Sequence, residues 1–259
     1  MNILNPITKK IQLFSLSFIL ILLCCFCKSN KEQTNENTEE VSQTDTITSP
    51  KEAPTSPPIQ IVQIDTNLSP LERLKAGNKR FLDGKLQHPD QTKQRAFELK
   101  NHQNPFVTMV TYSDSRISPE LIFDQGLGDI FTIRTAGNVM GDFELGSIEY
   151  AVTNLNCKLV VVMGHQNCGA ISAYLNPSHL RLHQHIISII DYIAKEKEEK
   201  ILPDSVKYKI DFAVNANIKH GVNLLNNSLP ILKTLIDSGK IKVIGAVYSL
   251  EKGSVTFFE

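Results

Sequence analysis

Leu159-Val160-Val161-Val162-Met163-Gly164-His165-Gln166-Asn167-Cys168-Gly169-Ala170 is the stretch on which the reading of this chain turns. Residues 159–163 form a short, Val-rich apolar run, which predicts a strand buried on both faces. An imidazole and a thiol, separated by two residues, follow it directly. A second stretch has the same plan: the apolar run 106–110 leads into Tyr112-Ser113-Asp114-Ser115-Arg116. In open α/β sheets ligands collect beyond the ends of such strands, so Asp114, Arg116, His165 and Cys168 are expected at one edge. Carboxylate, imidazole and thiolate together make a soft-leaning metal site, with zinc as the first candidate.

Working outward, Ser69-Pro70-Leu71-Glu72 is a capping-box start with Pro at the first helical position. Leu71, Leu74, Phe81 and Leu82 then supply the apolar side of a first helix. A second helix is predicted over 93–100, the first strand over 106–112 and a short helix after Ser118-Pro119-Glu120. The second strand is predicted over 129–134, a helix over 143–155 and the third strand over 159–163. Long helices are predicted over 179–200 and 206–226, then one over 229–238. Strands over 243–250 and 255–258 close the chain. Strand and helix alternate without an internal repeat, so the body is expected to be one α/β domain with a mainly parallel sheet flanked by helices.

The 259 residues carry 27 Lys and Arg against 27 Asp and Glu. This balance gives no electrostatic footprint for nucleic acid, and none is expected as a partner. Of five cysteines only Cys157 and Cys168 lie in the body, which excludes a disulfide framework. Cys157 reads as a small buried apolar residue.

The first residues read as a targeting segment. Lys9 and Lys10 precede an apolar stretch, 11–26, that is shorter than the roughly 20 residues of a membrane span but suits a secretory signal. Cys24, Cys25 and Cys27 at its end resemble a bacterial lipobox, with Cys25 favoured for acylation over its neighbours. Residues 1–27 are therefore expected to be a signal segment with a lipid anchor. The polar, Pro-containing stretch 28–67 is expected to be a disordered tether, and the folded body is 68–259. An exported, membrane-anchored protein on the periplasmic or cell-surface side is implied.

The two strand-end motifs also carry a family resemblance. The chain resembles the β-class carbonic anhydrases, which pair a Cys-x-Asp-Ser-Arg strand end with a later Gly-His-x-x-Cys-Gly. Asp114-Ser115-Arg116, His165, Cys168 and Gly169 match, as do Ala136-Gly137-Asn138 and the first-helix pattern Leu74-Lys75-Ala76-Gly77-Asn78. The resemblance spans 68–259. It implies one zinc per chain, reversible hydration of CO2 to bicarbonate, and a homodimer or higher oligomer. It also implies an antiparallel last strand and an anion pocket lined by backbone near Gly169 and Gly137. In the family the Arg holds the Asp off the metal, leaving the Asp to orient the attacking water.

The chain departs from the family at the first ligand cysteine, whose position is Tyr112. A Tyr oxygen reaches roughly 6.5 Å from its Cα against about 2.8 Å for a Cys sulfur, so it overshoots a metal placed for Cys. A phenol is also a reluctant ligand, with a pKa near ~10. Asp114 is the substitute, giving the set Asp114, His165 and Cys168, at the cost of its orienting role. Two readings stay open: a zinc lyase, and a metal-poor pseudoenzyme serving as a surface-tethered anion- or protein-binding module. His179, His183 and His185 read as solvated histidines on a surface helix.

Overall fold

The computed structural model describes residues 67–177 and 184–258. The signal and lipidation expectations at Cys24, Cys25 and Cys27, the tether as far as residue 66, and His179 and His183 lie outside the described residues. Helix α1 (Pro70–Leu82) opens with the expected capping box: Ser69 and Glu72 satisfy each other's backbone N–H groups. Helix α2 (Lys93–Glu98), strand β1 (Val107–Tyr112), helix α3 (Pro119–Ile122) and strand β2 (Ile130–Thr135) follow. A 3-10 turn over Ala136–Asn138 leads into α4 (Asp142–Asn154), and then come β3 (Leu159–His165) and α5 (Gly169–Leu175). The remainder is α6 (Gln184–Lys195), α7 (Lys197–Lys200), α8 (Ile210–Asn227), α9 (Ile231–Asp237), β4 (Lys242–Tyr248) and β5 (Val255–Phe258).

The sheet has the order β2-β1-β3-β4-β5, with the first four strands parallel and β5 antiparallel to β4. The fold class is thus the mainly parallel α/β sheet expected, including the reversed last strand. From β1 the chain steps one way to β2 and then the other way to β3. The ends of β1 and β3 are therefore neighbours at the point where the winding changes direction, which is where such sheets bind ligands.

Alternation along the strands divides the core into two layers. Val107, Met109, Leu159, Val161 and Met163 face the layer holding Leu74 and Phe123. Val110, Tyr112, Val160 and Val162 face the layer built by Ile171, Ile193, Val214 and Ile218. Burial of both faces is what the unbroken Val-rich runs anticipate.

Three points differ from the expectations. The helix predicted over 179–200 is interrupted within its described part: Glu196 is extended (φ −60°, ψ 130°), and its side chain is buried between α6 and α7. Residues 169–175, left without an element by the sequence reading, form α5, which is too short to show a helical period. The third strand also runs on to His165, because Gly164 and His165 pair with Val247 and Tyr248 of β4.

One side chain ties the start of the body to its end. Asn78 on α1 donates to the carbonyls of Ile122 and Gly253 at 3.2 and 3.0 Å, and its Oδ1 accepts from Val255 N–H at 3.0 Å.

Candidate active site

Parallel pairing puts the C-terminal ends of β1, β2 and β3 side by side, with Tyr112 opposite Thr135. Tyr112, Ser113, Asp114, Gly137, His165, Cys168 and Gly169 line one pocket of about 240 Å³ at that edge. The convergence expected from the sequence is therefore present.

The turn after β1 is held from β2. Arg134 donates from Nε to the Tyr112 carbonyl and from its terminal nitrogen to the carbonyls of Asp114 and Ile117. Ser113 N–H donates to the Thr135 carbonyl at 3.0 Å. Thus braced, Asp114 and Arg116 meet in a bidentate pair, Nε to Oδ1 at 2.9 Å and NH2 to Oδ2 at 2.7 Å. The Arg116 hydrogen bonds hold the Asp114 carboxyl well below the usual carboxylate range, so it stays ionised.

His165 is buried, and its Nδ1 lies 2.7 Å from the Gln166 carbonyl. A carbonyl only accepts, so the proton sits on Nδ1 and Nε2 carries a bare lone pair. That Nε2 has no hydrogen-bond partner and lies 3.5 Å from Asp114 Oδ2. Burial lowers the imidazole pKa, which keeps the ring neutral. Cys168 stands just before α5; burial raises its thiol, against the opposing pull of the Ile171 and Ala170 N–H groups.

Tyr112 ends β1 at the edge of the pocket. Its side chain turns into the α8 layer, 1 % exposed, with its ring edge-on to His165 at 4.7 Å. The phenol donates to Asn217 Oδ1 at 2.8 Å. Burial pushes its pKa well above the ordinary value, so it stays a neutral phenol and offers no phenolate to a metal. Gly164 makes this seat possible, since a Cβ there would meet Ile218 at 2.8 Å and the Tyr112 ring at 3.2 Å.

Zinc chemistry can be tested against this donor set. An imidazole nitrogen without a hydrogen, a carboxylate and a thiol are appropriate in kind. Two ligands at about 2.1 Å on a tetrahedral ion stand roughly 3.4 Å apart, and the His165–Asp114 separation of 3.5 Å matches. Closure is the shortfall: among the described residues, no three His, Cys, Asp or Glu side chains are gathered tightly enough to enclose an ion.

The carbonic anhydrase family model matches residues 107–255, from the first residue of β1 to the first of β5. The chain belongs to the β-carbonic anhydrase family. Carbonic anhydrase 2 of Mycobacterium tuberculosis is 34 % identical over 186 residues, 70 % of this chain and 87 % of the relative. The carbonic anhydrase of Mycolicibacterium smegmatis is 50 % identical over 103 residues, 40 % of this chain and 50 % of the relative. Among solved β-carbonic anhydrases, CcaA aligns with a TM-score of 0.56 at 26 % identity, over 73 % of this chain and 95 % of its own. The Coccomyxa enzyme in complex with acetazolamide gives the same TM-score and identity, over 72 % and 85 %.

Three residues at the β-carbonic anhydrase site were not singled out by sequence reasoning. Arg134 read only as the end of a strand, and Glu196 only as part of the helix over 179–200. Asn217 carried a usable signal: it interrupts the apolar stripe Ala213, Val214, Ile218, Gly221, Leu225 of α8, and a polar residue on a buried stripe needs partners.

Proposed function

We propose that the domain catalyses the reversible hydration of CO2 to bicarbonate, with one zinc ion held by His165, Cys168 and Asp114. The observation that carries this is the unpaired Nε2 of His165 facing Asp114 across 3.5 Å inside the pocket. Zinc bound there would supply an attacking water with a pKa near ~7 in place of ~15.7. The chain's own residues do the rest. The Gln166 carbonyl fixes the His165 tautomer, leaving Nε2 as a donor. Arg116 keeps Asp114 ionised and fixes its orientation, so the carboxylate is available as the third ligand, in place of the water-orienting role. Arg134 holds the turn that presents this pair. Backbone at Gly137 and Gly169 lines the space left for substrate.

A second reading is favoured by one observation: Tyr112, at the first ligand position, spends its hydroxyl on Asn217 and gives nothing to a metal. In that reading the domain is a metal-poor anion- or protein-binding module. Elemental analysis and stopped-flow CO2 hydration on the full chain separate the two. About one zinc per chain and a rate above buffer, both lost in His165→Ala, support the lyase. A folded, zinc-free protein without activity, in which Tyr112→Cys gains both, supports the module.

We further propose an exported form anchored through lipid at Cys25 and assembling as a homodimer or larger oligomer. Radiolabelled-lipid incorporation lost in Cys25→Ser, and light scattering of the purified chain, check the two statements.

A further inference from the structure

We infer that Asn217 is a positioning residue for the pocket: through one side-chain amide it anchors both the Tyr112 ring that walls Cys168 and the carbonyl of Gly137, a second residue of the lining. The amide is 2 % exposed, with both Nδ2 hydrogens and its Oδ1 engaged. Oδ1 accepts from the Tyr112 phenol at 2.8 Å, and Nδ2 donates to the Gly137 carbonyl at 3.1 Å and to Glu196 Oε1 at 2.9 Å. Its orientation is therefore determined. Turned over, its oxygen would face the Gly137 carbonyl, which can only accept.

Each arm reaches something that lines the pocket. Tyr112 stands edge-on to His165 and beside Cys168. Gly137 is a pocket residue in the left-handed region (φ 68°), with Ile193 and Ala170 packed where a side chain would begin. The third arm, to Glu196, completes the amide from the break between α6 and α7. A cysteine at position 112 would be too short to reach Asn217. The amide is therefore what lets a large aromatic occupy a small ligand's place without filling the pocket. As a role in catalysis this rests on the CO2-hydration reading; as a statement about the pocket wall it does not.

Alkylation rates of single cysteines test it in the full-length protein. With chelator present, iodoacetamide labelling followed by peptide mass spectrometry reads Cys168 and Cys157 separately. Both are buried, 2 % and 1 % exposed, and Cys157 lies just before β3, at the far end of that strand, bonded to the Pro105 carbonyl. Asn217→Leu is expected to speed labelling of Cys168 about tenfold while leaving Cys157 near its parent rate. Tyr112→Phe, which keeps the ring and removes only the anchored hydroxyl, is expected to do the same and guards against a leucine variant that fails to fold. The double variant should label Cys168 no faster than Asn217→Leu alone, since both cut one path. Parallel acceleration of both cysteines would make Asn217 a general packing residue and overturn the inference, as would an unchanged Cys168 rate or multiplicative effects. Absence of CO2 hydration in the parent would sink the catalytic reading and leave the labelling result standing.

Discussion

His165 Nε2 and Asp114 Oδ2 face each other at 3.5 Å with no hydrogen between them. Arg116, which donates to that same Oδ2 at 2.7 Å, offsets the repulsion between the two lone-pair carriers. The first expectation follows from this pair.

Arg116→Ala removes the two side-chain hydrogen bonds that hold Asp114 and leaves only the backbone N–H of residue 116. Hydration activity is expected to fall by about 10–100-fold, the scale of losing a partner that orients a metal ligand. Stopped-flow assays with a pH indicator measure it. Its low-pH limb should also move upward, since the carboxyl loses what kept it ionised. An unchanged rate and profile would remove Arg116 from the site's chemistry.

Tyr112→Phe leaves Asn217 Oδ1 buried without a donor. The unfolding free energy is expected to drop by about 1–3 kcal/mol. Urea denaturation followed by circular dichroism reports this, and a variant as stable as the parent would mean that the bond contributes nothing.

Glu196 and Glu199 give a pH signature. Burial pushes Glu196 up to about 9 and Glu199 to about 7, whereas both titrate near ~4.3 once unfolded. Between those values the native state holds protons that the unfolded chain has released. The stability they contribute is therefore complete below the unfolded pKa and is lost as pH rises through the folded ones. Glu196→Gln stays neutral throughout. Its stability is expected to decline less steeply than the parent's between about pH 5 and 9. Denaturation midpoints across that range provide the check, and parallel slopes would argue that Glu196 is ionised in place.

Gly137→Ala puts a side chain at φ 68°, with Ile193 Cδ1 at 3.0 Å and Ala170 Cβ at 3.1 Å from the new carbon. A loss of about 1–2 kcal/mol from the backbone alone is expected. Because Gly137 lines the pocket, substrate or anion affinity should weaken too; thermal melts with and without thiocyanate would separate the two effects.

What the sequence disclosed and what it withheld have a common physical cause. Val-rich runs ending in Asp114-x-Arg116 and His165-x-x-Cys168 are local patterns, and parallel pairing carries local patterns to a shared edge. Their meeting was legible for that reason. The destination of the Tyr112 phenol was not, because Asn217 lies 105 positions away and only the packing of α8 on the sheet brings it near. Glu196 was not legible for a related reason. Lys195, Lys197 and Lys200 surround it in sequence as on a solvated face, yet the chain breaks there and the Glu196 and Glu199 carboxyls are buried.

Asn78 bonds to the backbone at Gly253 and Val255, so the earliest helix and the final strand of the body complete one another. Part of what seats the first helix is thus supplied from the far end of the body, and trimming residues 253–258 should loosen the opposite terminus before it disturbs the pocket.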